Sequence, residues 1–86
     1  MKPAAKDGIE INETQDGLIV YDEETDRVHH LNQTAAVILQ LCDGTLSVEE
    51  ITTDIARMFE LDQSPAETVE ACLAQLEREG LVDLKE

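Results

Sequence analysis

Residues 31–44, Leu-Asn-Gln-Thr-Ala-Ala-Val-Ile-Leu-Gln-Leu-Cys-Asp-Gly, mark where an extended segment ends and a buried helix begins. Asn32 stands where an N-cap belongs, its side-chain oxygen free to accept from the backbone N–H of Thr34 or Ala35. Ala35, Ile38, Leu39 and Cys42 recur at helical spacing, with Ala36, Val37 and Leu41 beside them. An apolar arc that wide exceeds what a surface helix needs and predicts contacts on more than one side. Asp43-Gly44 ends the helix, because glycine adopts the left-handed conformation that closes a C-terminus at little cost. The expected arrangement is a central helix with a sheet on one side and later helices on the other.

Upstream, Ile9 and Ile11 alternate with Glu10 and Asn12, a short strand with one apolar face. Residues 14–17 (Thr-Gln-Asp-Gly) read as a turn, and Leu18-Ile19-Val20-Tyr21 as a second strand rich in β-formers. Residues 22–26 (Asp-Glu-Glu-Thr-Asp) make an acidic turn, and Arg27-Val28-His29-His30-Leu31 a third strand, completing a meander. Alternation puts Val28 and His30 on one face of that strand, and Arg27, His29 and Leu31 on the other. Residues 1–7 read as a frayed tail, which leaves 8–86 as a single domain.

Downstream, Ser47 and Glu50 form a capping box ahead of the stripe Ile51, Ile55, Met58 and Phe59. Ser64-Pro65-Ala66-Glu67 predicts a third helix with a serine cap and proline at its first position. Its stripe is Val69, Cys72, Leu73 and Leu76, and Gly80 stops it. Leu81, Val82 and Leu84 read as a closing extended segment that packs back on the body. The fold class is α+β and winged-helix-like: a three-stranded antiparallel sheet followed by three helices.

Composition narrows function. Eighty-six residues with 42% apolar content make one small domain, and with Tyr21 and Phe59 the only aromatics its core is aliphatic. Twenty acidic residues against 6 basic ones give a formal net charge of −14, which repels nucleic-acid phosphates and anionic membrane surfaces. The third helix alone carries Glu67, Glu70, Glu77 and Glu79 against Arg78, so it is a poor recognition helix for a DNA groove.

Cys42 and Cys72 lie on apolar helix faces and read as free thiols packed like small hydrophobes. With no secretory signal and no long apolar run, a cytoplasmic protein is expected. His29 and His30 are adjacent on a strand and point to opposite faces, so they do not converge on one metal ion. No phosphate loop, nucleophile motif or metal-ligand spacing is present, and neither catalysis nor a cofactor is expected.

The run Leu31-Asn32-Gln33-Thr34-Ala35-Ala36, the ending Leu41-Cys42-Asp43-Gly44, the box at Ser47 and the terminal Glu79-Gly80-Leu81-Val82 together resemble the PqqD-like family. The likeness covers roughly residues 8–84. The family often has an aromatic residue where His29 stands and Trp where Leu39 stands. What the resemblance implies is a RiPP recognition element. Such a domain binds the leader segment of a ribosomally made precursor peptide and presents it to a modifying enzyme, such as a radical SAM protein.

In that family the leader adds as a strand to the third strand and packs on the third helix. By position, the peptide-binding residues implied are Arg27, Val28, His29, His30 and Leu31 with Val69, Cys72, Leu73 and Leu76. A free sheet edge also suits a domain that only docks on an enzyme or pairs with a second copy, so monomer and homodimer both stand open.

Overall fold

The computed structural model describes residues 2–85. The elements in chain order are β1 (Lys2–Ala5), β2 (Ile9–Thr14), β3 (Gly17–Asp22), β4 (Arg27–Asn32), α1 (Gln33–Leu41), α2 (Val48–Met58), α3 (Ala66–Arg78) and β5 (Val82–Lys85). Alternation along residues 9–32 yields the expected meander, a three-stranded antiparallel sheet in the order β2-β3-β4. Ile11 pairs with Val20, and Val20 with His29. The inner face of β3 presents Leu18 and Val20, both buried, to the helices.

α1 lies across this sheet and packs on β3 and β4 on one side and on α2 and α3 on the other, the central position its wide apolar arc predicts. Asn32 caps it, Oδ1 accepting from the Ala35 N–H at 2.8 Å. The helix closes through Cys42, and Gly44 follows with φ of +85°. Ser47 and Glu50 form the capping box of α2, each side chain accepting from the other's backbone N–H. Ile51 and Ile55 enter the core and Phe59 is half-buried, whereas Met58, expected on the same stripe, faces solvent from the last turn.

α3 begins one residue later than its sequence signature indicates. Pro65, with no side-chain acceptor, occupies the N-cap position, and no side-chain cap bond from Ser64 or any other residue forms. Val69, Leu73 and Leu76 anchor this helix in an aliphatic core with Ile38, Leu39, Ile51 and Ile55.

The frayed tail is a correction. Lys2–Ala5 forms β1, paired antiparallel with β5 in the register Pro3 to Leu84 and Ala5 to Val82. The Ala5 N–H donates to the Cys42 carbonyl at 2.7 Å and the Gly44 N–H to that of Pro3 at 3.0 Å, so this clasp is stitched to the end of α1. β5 is the predicted closing segment, and it supplies the partner that a reading of the first seven residues by themselves lacks.

A second correction concerns Asp22. Expected in a solvated acidic turn, it is fully buried at the end of β3. Its Oδ1 accepts from the N–H groups of Glu24 and Thr25, and its Oδ2 lies 2.9 Å from Lys6 Nζ. The lysine holds the Asp22 carboxyl below its ordinary pKa, and the carboxylate raises that of Lys6. The segment after β1 is thereby pinned to the sheet.

Candidate functional site

Two edges of the meander are unpaired by any described strand, that of β2 and that of β4. Which main-chain groups β4 offers follows from the ladder. The Glu23 N–H donates to the Gly8 carbonyl, so Tyr21, Ile19 and Gly17 aim their backbone polar groups at β2. The residues between them, Asp22, Val20 and Leu18, aim theirs at Arg27, His29 and Leu31. Val28 and His30 therefore turn their N–H and C=O groups outward, unsatisfied by the sheet. Val28 is 56% exposed, consistent with a free edge.

The end of this edge runs into a groove of about 470 Å³ between α1 and α3. One wall is built by His30, Leu31, Asn32, Thr34 and Ala35. The other is a stripe of α3: Thr68, Ala71, Cys72, Gln75, Leu76 and Glu79. Those α3 positions recur at helical spacing on one face, one step around from the stripe that enters the core. The groove exists because small side chains confront one another: Thr34 and Ala35 across from Thr68 and Ala71.

The wall on the strand side is fixed by Gly17. A Cβ there would stand 1.9 Å from the Leu31 carbonyl oxygen and 2.9 Å from the Asn32 carbonyl carbon. Only glycine lets the two strands close at the point where β4 becomes α1. The far end of the groove is held by His29, whose Nδ1 lies 3.1 Å from Glu79 Oε2. The other carboxylate oxygen of Glu79 accepts from Gln75 Nε2 at 2.7 Å.

The residues singled out from sequence divide into three groups. His30, Leu31, Cys72 and Leu76 line the groove. Arg27 and Val28 lie on the exposed edge above it, and His29 joins that edge to α3. Val69 and Leu73, by contrast, are buried in the core and do not face the groove.

Sequence reasoning missed Thr68, Ala71, Gln75 and Glu79, since a search for apolar periodicity passes over polar and small residues. Their common helical spacing was the available signal. Burial pushes the Cys72 thiol pKa up, and that of Cys42, donating to the Ile38 carbonyl deeper in the core, up to about 12. Among the described residues no group of three or more His, Cys, Asp or Glu side chains is placed to hold a metal ion. No helix among the described residues is long and apolar enough to cross a membrane.

An open strand edge continuous with a partly apolar groove on a winged-helix-like body is a geometry that admits an extended peptide by strand addition. The family model described as coenzyme PQQ synthesis protein D (PqqD) matches residues 17–82. The chain belongs to the PqqD family.

Two solved structures share its fold. One is a lasso peptide synthetase B1 complexed with the leader peptide, with a TM-score of 0.74 at 19% identity, covering 98% of this chain and 100% of that one. The other is TbiB1 in complex with the TbiA(beta) leader peptide, at 0.76 and 18%, covering 96% of this chain and 98% of that one. Comparison with curated proteins finds no match.

Proposed function

We propose that this chain binds the leader segment of a ribosomally synthesised precursor peptide and presents it to a modifying enzyme. The observation that carries this reading is the continuity of edge and groove: His30 and Leu31 belong to both. A leader strand added to β4 receives main-chain bonds from Val28 and His30, and its inward side chains continue into the space between Leu31, Cys72 and Leu76. Affinity then comes from the ladder and selectivity from the groove. The leader peptides bound to the two structures of like fold support the same reading.

The chain acts here as a binding and presenting module, with the chemistry supplied by its partner, for which a radical SAM protein is one candidate. A cytoplasmic setting goes with that role, and the free thiols of Cys42 and Cys72 suit a reducing compartment.

The test is an amide-resolved NMR titration with the leader of the precursor encoded beside this gene. Shifts concentrated on 27–31 and on the Thr68–Glu79 stripe are expected. Val28→Pro, which deletes an outward donor and no bond to β3, should weaken binding three- to tenfold in a folded protein. Absence of shifts with the leader, alongside clear shifts with the neighbouring enzyme, would leave a docking domain in place of a leader-binding one.

A further inference from the structure

The sheet has a second free edge, and its chemistry is the reverse of the first. By the same ladder, Glu10, Asn12 and Thr14 of β2 spend their backbone groups on β3, while Ile9, Ile11 and Glu13 turn theirs outward. The substantial packing of β2 is on β3 alone; α1 lies under β3 and β4 and stops short of it. Ile11, although on the inner face opposite buried Val20, is consequently 44% exposed. An incoming strand would cover it.

Charge differs between the edges. β4 carries Arg27, His29 and His30 and no carboxylate of its own. β2 carries Glu10 and Glu13 and no cation, flanked by exposed Asp7, Asp16 and Glu23. The nearest cation in sequence, Lys6, is already engaged by Asp22 and Glu24. A second copy offering the same edge would bring like charge to it, whereas a basic strand would neutralise it.

We propose that the β2 edge, Ile9–Thr14, is a second strand-addition site that takes a basic, extended segment of a protein partner while β4 holds the leader. Under the reading above, on which this rests, the partner is the modifying enzyme. The partner's segment has Lys or Arg against Glu10 on the outer face of the sheet and an apolar residue over Ile11 on the inner face. Five strands then run side by side, with leader and partner segment on opposite rims about 19 Å apart at the usual interstrand spacing. One small sheet thereby holds substrate and enzyme at a fixed distance without either blocking the other.

The test uses the full isotope-labelled chain and a synthetic hexapeptide of alternating Lys and Val, blocked at both ends. Shifts on the amides of Ile9, Ile11 and Glu13, sparing Val28 and His30, are expected. Ile11→Pro removes an outward donor without costing a bond to β3, and should cut peptide affinity at least fivefold while leaving leader binding unchanged. Glu10→Gln should weaken it about threefold, and an alternating Glu and Val peptide should not bind.

The proposal falls if the basic peptide binds at β4, if it fails to bind, or if the acidic peptide binds equally. It falls also if the β2 amides shift with protein concentration alone, which would assign the edge to a second copy. Leader binding unaffected by Val28→Pro would instead defeat the reading of β4 and leave the β2 result standing.

Discussion

His29 reaches from the edge strand to the last turn beyond α3 and meets Glu79 at 3.1 Å, joining the two walls of the groove at one end. The imidazole is only 11% exposed, so its removal costs both the contact to Glu79 and packing. His29→Ala should lower stability by about 1–2 kcal/mol and weaken the leader several-fold, because the strand and helix then lose their fixed spacing. Urea unfolding and calorimetric titration read the two effects separately. A loss of stability with unchanged affinity would remove this pair from the binding site.

Groove volume gives a cleaner separation of binding from folding. Ala71 is exposed on α3 and faces Thr34 and Ala35 across the groove. Ala71→Trp should fill the space and reduce leader affinity more than tenfold, while the melting temperature changes by only a few degrees, as expected for a surface substitution of about 0.5 kcal/mol. Retained affinity would place the leader's side chains elsewhere.

The two thiols should report on the same groove. Cys42 is buried with its pKa pushed up to about 12, so it should resist alkylation until the protein unfolds. Cys72 is partly accessible on the groove wall and should react slowly. Saturating leader should slow it further. Mass-spectrometric counting of labelled thiols with and without leader tests both statements.

Acid should unfold the protein through the groups whose carboxyl pKa values are lowered in the fold. These are Asp22 through Lys6, Asp43 through Thr45 and Glu50 through Ser47. A depressed folded-state pKa means stability that is complete above the ordinary carboxylate range and is lost as pH falls through the folded value. The raised pKa of Lys6 works oppositely, its contribution being lost only as strongly alkaline pH is reached. The urea midpoint should therefore hold near neutrality and fall below about pH 4, and Asp22→Asn should flatten part of that fall while destabilising the protein at pH 7.

Gly17→Ala should cost about 2–3 kcal/mol, the upper range for forcing atoms into a packed site. The added carbon meets backbone at 1.9 Å, and no side chain can swing aside to relieve it. Thermal unfolding checks this. An undisturbed midpoint would mean that the β3–β4 junction can part without cost.

Local signals carried most of the fold. The cap at Asn32, the box at Ser47 and Glu50 and the alternation through β2, β3 and β4 all act within a few residues, so they are readable in the sequence. What was not readable depends on distant partners. β1 exists because β5 returns to it, and Asp22 is buried because Lys6 arrives beside it. The groove was half legible: its edge strand followed from alternation, but its helix wall is a stripe of Thr, Ala, Gln and Glu adjacent to the apolar one. Val69 and Leu73 satisfy the same periodic pattern and fill the core instead.

The clasp between β1 and β5 pairs Lys2 with Lys85 and so closes a loop of almost the whole chain. Ring closure over that span has the largest entropic cost of any contact in the molecule, whereas the meander closes over short hairpins. During synthesis β2, β3 and β4 are complete long before residues 82–85 emerge. The β4 edge is thus complete early, whereas the α3 wall of the groove and the β1–β5 pairing that clasps the finished domain form last.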